Sequence, residues 1–164
     1  MILKEKINQD FREAFKAKEE LRVSVLRMLN SSIKKKELEK RAKLVKTIID
    51  EAELEKQIQL NDEEVLTVIG AEANRRKDSI EQFKAGGRKE LANKEEAELK
   101  ILSVYLPEQM GEEEIRKIVK EAIVQSGAAS VKEIGKAMSV LMPKVKGKAD
   151  GNLVNRIVKE ELSK

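Results

Sequence analysis

From Leu3 onward apolar residues return every three or four positions, and a chain of 164 residues has only 8 Gly and 2 Pro to interrupt them. A many-stranded sheet would need frequent turn residues and strict alternation of apolar and polar side chains. This pattern supplies neither, so the expected fold class is all-α. Leu3, Ile7, Phe11, Ala14 and Phe15 predict an amphipathic helix to about Lys18, with these side chains in the core. A second helix is expected from about Glu20, carried by Leu21, Val25, Met28, Leu29 and Ile33 before charge dominates from Lys34 to Arg41, and the two should form a hairpin. Between Leu44 and Leu60, Val45, Ile48, Ile49, Leu54 and Ile58 fit either a short helix or a loose connection.

A sharp restart comes at Asn61-Asp62-Glu63-Glu64, where Asn61 is suited to cap a helix and three acids complement the positive end of its dipole. Val65, Ile69, Ala73, Ile80 and Phe83 carry this third helix until Ala85-Gly86-Gly87 stops it. Arg88 to Leu106 predicts a fourth, with Leu91, Leu99, Leu102 and Tyr105 inward. Pro107 cannot continue that helix and Gly111 weakens any helix through it, which places a domain boundary there: an N-terminal helical hairpin or bundle, 1–107, and a small three-helix domain, 108–164. The three segments are Glu112 to Gln125, Val131 to Met142 and Gly151 to Leu162, with Ser126-Gly127 as a stop and Ser130 with Glu133 as a capping box.

Composition narrows the chemistry. Forty per cent hydrophobic residues suffice for a core in a chain of this length, which should bury roughly 68–70% of its extended surface. The 34 Lys+Arg nearly balance 30 Asp+Glu, unlike the one-signed excess of a disordered chain. With no Cys and no His, the chain has no disulfide framework, no Ser-His or Cys-His nucleophile, no imidazole base and no zinc site of the usual ligands. Met1 to Lys18 mixes apolar residues with Lys and Glu, so neither a signal peptide nor a membrane span is expected, and the cytoplasm is the default location. A net charge of +4 and a pI near 9.1 permit an anionic partner without demanding one.

Clustered carboxylates at Asp62-Glu63-Glu64 and Glu112-Glu113-Glu114 resemble metal ligands, but both open helices, where first-turn acids complement the dipole; no metal and no cofactor are expected. The cluster Lys34-Lys35-Lys36 with Lys40 and Arg41 is interrupted by Glu37 and Glu39 and reads as a solvated face. Arg75, Arg76 and Arg88 are secondary candidates for touching RNA, although Glu72 could satisfy Arg76 at i,i+4. The segment Pro143-Lys144-Val145-Lys146-Gly147-Lys148-Ala149-Asp150-Gly151 differs, because it places three lysines and two glycines in one loop leading into the last helix. Its spacing is not that of a P-loop, and Asp150 would compete with a phosphate for the helix amides. Three Phe and one Tyr leave almost nothing on which to stack splayed bases, so a nucleic-acid partner would be held by phosphate and shape.

Several strings coincide with one family: Ser24-Val25-Leu26-Arg27-Met28-Leu29, Asp62-Glu63-Glu64-Val65-Leu66, Arg76-Lys77-Asp78-Ser79-Ile80 and Glu98-Leu99-Lys100-Ile101-Leu102. They continue with Tyr105-Leu106-Pro107-Glu108-Gln109, Gly135-Lys136-Ala137-Met138 and Leu141-Met142-Pro143 running to Asp150-Gly151. The chain thus resembles the GatB/YqeY family from Met1 to Lys164, departing at Arg41 to Leu60, where it is longer than the usual connection. The resemblance implies an N-terminal helical part and a three-helix tail, like the tail that contacts the body of the tRNA in the B subunit of tRNA-dependent amidotransferases. It also implies that the B subunit's ATP-using catalytic region has no counterpart here.

These observations point to a non-catalytic tRNA-binding or aminoacyl-tRNA-synthesis accessory protein, with Lys144, Lys146, Gly147, Lys148 and Gly151 at the RNA. No catalytic residue is expected. The alternative is a helical protein-interaction module, drawing on Met138, Leu141 and Met142, with an aminoacyl-tRNA synthetase or amidotransferase subunits as partners. A carbon-nitrogen ligase with glutamine as amido donor ranks last, because it needs an activated nucleophile that the chain does not offer.

Overall fold

A computed structural model describes residues 2–164, and these form eight α-helices and one short 3₁₀ turn, with no strand among the described residues. The chain divides into two compact units, Met1–Tyr105 and Leu106–Lys164. The first holds α1 (Leu3–Lys16), α2 (Glu20–Leu44), α3 (Glu51–Ile58), α4 (Asp62–Ala85) and α5 (Lys89–Ser103). The second holds α6 (Glu112–Ser126), the 3₁₀ turn Val131–Glu133, α7 (Ile134–Val145) and α8 (Gly151–Leu162). No helix among the described residues is long and apolar enough to cross a membrane.

Local chemistry sets the helix ends. The α1 helix stops at Lys16 because Lys18 turns into the left-handed region at φ 57°, where the Glu19 N–H donates to the Ala14 carbonyl at 3.0 Å. That 6→1 bond is a Schellman stop, with Lys in the place usually taken by Gly. Gly87 makes the same stop for α4 at φ 70°, with the Arg88 N–H on the Phe83 carbonyl at 2.8 Å. The expected cap at Asn61 is present as a full capping box: its Oδ1 accepts from the Glu64 N–H and the Glu64 carboxylate accepts from the Asn61 N–H, both at 2.9 Å. Within the unreadable stretch, Asp50 caps α3 by accepting from the Glu53 N–H at 2.8 Å, and Leu54, Ile58 and Leu60 are buried while Val45 and Ile49 face solvent.

In the first unit α2 packs against α1, α3, α4 and α5. Val25, Leu26, Leu29 and Ile33 are buried along it, each such side chain contributing about 1.5–3 kcal/mol on burial. Four residues expected inside are not. Phe15 is 61% exposed, and Leu21, Met28 and Leu91 also face solvent. The small residues Ala14 and Ala92 occupy the contacts instead, and a neighbour one position along a 3.6-residue helix is turned by about 100°.

Charged groups are buried between the same helices. Glu37 accepts from the Lys4 ammonium and lies 3.5 Å from the Leu60 N–H. Glu72 accepts from Ser32 Oγ at 2.8 Å and pairs with Arg75 at 3.5 Å, so the anticipated Glu72–Arg76 pair does not form. Arg76 reaches across to α5 instead, where Glu98 at 3.0 Å and Glu95 at 3.5 Å offer two carboxylates. Tyr105 donates to the Asp10 carboxylate, which also pairs with Arg22 at 3.6 Å.

The tail core joins Ile115, Val119 and Ala122 of α6, Ala137, Leu141 and Val145 of α7, and Val154, Ile157 and Val158 of α8. Gly127 ends α6 at φ 69°, as Ser126-Gly127 suggests. The capping box at Ser130 is corrected: Ser130 makes no side-chain cap bond, and Glu133 accepts from the Ala129 N–H at 2.8 Å. The tight 3₁₀ turn shifts the helix start to Ile134, so the capping-box spacing from Ser130 no longer falls on N3. The α7 helix also runs past Met142 to Val145, with Pro143 in its last turn, where it has no N–H to give the Ser139 carbonyl.

Replacing Arg76 by Ala should cost about 3–5 kcal/mol in urea unfolding, because it leaves the Glu98 carboxylate buried and uncompensated. The double change Arg76→Met, Glu98→Met should recover most of that loss. For Tyr105, burial and then the Asp10 bond hold the phenol above its ordinary value of 10.0. The folded chain therefore keeps a proton that the unfolded chain releases, so this stability is present below pH 10 and is lost as pH rises further. Tyr105 being the chain's one Tyr, its phenolate absorbance should appear only well above that pH or together with unfolding, and Tyr105→Phe should flatten the alkaline loss.

Candidate nucleic-acid interface

The five tail candidates lie on one short stretch. Lys144 belongs to the last turn of α7 and not to the loop, Lys146, Gly147 and Lys148 form the turn after it, and Gly151 opens α8. Backbone bonds hold the turn. The Lys148 and Ala149 N–H groups both donate to the Val145 carbonyl, at 2.9 and 3.0 Å. The preceding segment clamps the other side: the Met110 N–H donates to the Lys148 carbonyl at 2.8 Å, and the Gln109 amide donates to the Gly147 carbonyl at 3.0 Å. Gly147 stands at φ 76°, a conformation that side-chain-bearing residues adopt only at a cost. Buried Val145 anchors the turn in the tail core.

Lys144, Lys146 and Lys148 are all exposed, and none makes an ion pair with a described residue. The Lys144 ammonium donates to Gln125 Oε1 at 3.3 Å. The start of α8 is differently placed. Asp150 caps it by accepting from the Asn152 N–H at 2.8 Å and the Leu153 N–H at 3.3 Å, so these amides are taken and a phosphate here must be met by lysine side chains. Asp150 also adds a carboxylate beside the lysines, which limits the local positive potential.

The secondary candidates lie in the other unit. Arg75 is exposed beside Glu72, Arg88 is exposed at the N-cap of α5, and Arg76 is withdrawn from solvent by its pairs with Glu95 and Glu98. Each acid cluster has a member engaged in structure. Asp62 accepts from the Leu3 N–H at 2.9 Å, and Glu112 pairs with Arg116 at 3.1 Å and Arg156 at 3.4 Å. Arg116 further joins Glu161 at 2.8 Å and Glu160 at 2.9 Å, bonds that raise its guanidinium above its ordinary value and tie α6 to α8. Sequence spacing alone did not reveal the link to α8, because Glu160 and Glu161 lie 44 and 45 positions from Arg116.

The chain shares 32% identity over 100 residues with "Altered inheritance of mitochondria protein 41, mitochondrial" of Vanderwaltozyma polyspora, covering 61% of this chain and 46% of that protein. It shares 43% identity over 60 residues with the E-type subunit of the glutamyl-tRNA(Gln) amidotransferase of Methanobrevibacter smithii, covering 34% of this chain and 10% of that subunit. The matches thus span less than half the length of these relatives. The family of Yqey-like proteins matches over residues 4–46 and 42–162, two stretches that overlap at the end of α2. Covering nearly the whole chain, that match means that this chain belongs to the Yqey-like family.

Proposed function

We infer that this chain is a non-catalytic tRNA-binding protein, accessory to aminoacyl-tRNA synthesis, whose tail holds RNA through phosphates and overall shape. The observation that carries this reading is the turn at Lys144–Lys148: three exposed lysines without ion pairs to described residues, on a backbone fixed from both sides. A fixed backbone confines the lysine stems, so less conformational freedom is lost when the ammonium groups meet phosphates. Likeness to part of a glutamyl-tRNA(Gln) amidotransferase subunit supports tRNA as the RNA and makes amidotransferase subunits or a synthetase natural partners. The absence of His and Cys supports a binding role over a carbon-nitrogen ligase, since glutamine hydrolysis requires an activated nucleophile. A cytoplasmic location belongs to the same reading, although one relative is named as mitochondrial.

A protein-interaction module is the second reading, favoured by Met142 at 41% and Val124 at 82% exposure on the tail. Leu141, also considered for such a surface, is fully buried. Recovery of synthetase or amidotransferase subunits in a pull-down after nuclease treatment would favour this reading over direct RNA binding.

Reversing Lys144, Lys146 and Lys148 to Glu should weaken tRNA binding while leaving the circular dichroism spectrum unchanged. If all three neutralise phosphates, the slope of log K against log salt should fall by about two to three units, at ~0.7–0.9 per contact. The loss should be similar for different tRNA species, because phosphates carry no sequence. An unchanged affinity and slope in the folded variant would move the function away from this turn.

A further inference from the structure

The positive surplus of this chain is concentrated elsewhere than the tail turn. The α2 helix carries eight Lys and Arg against three Glu, a surplus of five, in a chain whose total is +4. Sequence alone assigns that basic face to solvent, but the structure places part of it on a groove of about 490 Å³ between α2 and α4. The two helices run antiparallel here. Ser32 meets Glu72 at one end and Lys40 meets Glu64 at the other, at 2.8 and 2.9 Å, and these points are eight positions apart on each helix, about 12 Å of length at 1.5 Å per residue. Lys35, Lys36, Lys40 and Lys43 line it from α2, and Arg75 lines it from α4.

Three carboxylates also line the groove, and each is engaged. Glu39 pairs with Lys36 at 3.1 Å, Glu64 with Lys40, and Glu72 with Ser32 and Arg75. Lys35 and Lys43 make no ion pair with a described residue. Both nonetheless act on Glu39, whose carboxyl is held below its ordinary value by Lys36 first and by Lys35 and Lys43 through space, as expected in a positive local field. Exposed pairs such as Lys36–Glu39 contribute little to stability, so the cation can turn to a phosphate at little cost. The aliphatic side chains in the lining are Leu60, which is buried, and Val68 and Ala71, and five cations stand around them. No aromatic residue lines the groove to stack a base. An extended anionic backbone satisfies what remains.

We propose that the α2/α4 groove is a second phosphate-binding surface, which takes the sugar-phosphate backbone of RNA; it rests on the reading that the chain binds tRNA. It adds contacts in the N-terminal unit that the tail does not provide, so the two sets of lysines contribute separately to affinity.

The test compares four full-length proteins binding fluorescent tRNA over a salt series: wild type, the tail variant K144E/K146E/K148E, the groove variant K35Q/K43Q/R75Q, and the two combined. Glutamine at these exposed positions keeps the helices, which circular dichroism verifies. The groove variant should bind several-fold more weakly, with a salt slope lower by about two units, and its loss should add to that of the tail variant. Wild-type affinity and slope in the groove variant, with loss in the tail variant, overturn the groove and leave the tail reading intact. Loss in the groove variant alone overturns the tail reading and upholds the groove. Wild-type protein that binds no tRNA at low salt overturns both.

Discussion

The first unit depends on one buried strip. Val25, Leu26, Leu29 and Ile33 of α2 recur on its inner side, and α1, α3, α4 and α5 all pack against this helix. Buried aliphatic surface at about 25 cal/mol per Å² is the dominant favourable contribution, and here it comes almost without aromatic residues. Alanines at contact positions, Ala14, Ala73 and Ala92, let helix backbones approach closely. The rest of α2 is largely open to solvent, and Lys34, Lys35, Lys36 and Lys43 stand exposed there as a basic ridge.

Polar groups fix which arrangement of greasy helices is adopted. Glu37 ties α1 and α2 to the Leu60 N–H, and Arg76 ties α4 to α5. Such buried charges add little net stability when paired, but any other packing would leave them uncompensated. The tail unit builds its core from an aliphatic cluster and keeps its main ion-pair network, Arg116 with three glutamates, at the edge.

How much the sequence revealed depends on the range of the interactions. Stops at Gly87 and Gly127, the Asn61 and Asp150 caps and the α-helical class all rest on contacts within a few residues, so local spacing exposes them. Phe15 and Leu91 escaped because a neighbouring alanine decides the contact, which periodicity does not resolve. The Glu72–Arg76 pair was a reasonable local inference defeated by Ser32 and Glu98, which lie 40 and 22 positions away from their respective partners. The Lys144–Lys148 turn stood out in the sequence, but its clamp by Gln109 and Met110 did not, since nothing local joins these segments. The α2/α4 groove was hidden for the same reason: its charges are legible as a run, its concavity only in three dimensions.

The proposal that RNA is held by charge and shape rests on the tail turn and the basic ridge. Ultraviolet crosslinking in cells, with sequencing of the recovered RNA and mapping of the crosslinked peptides, tests this claim most directly. The account predicts tRNA as the enriched class, with no narrow sequence preference and crosslinks at Lys144–Lys148. Recovery of no RNA above background, or of RNA crosslinked only to segments outside the basic surfaces of both units, would contradict it.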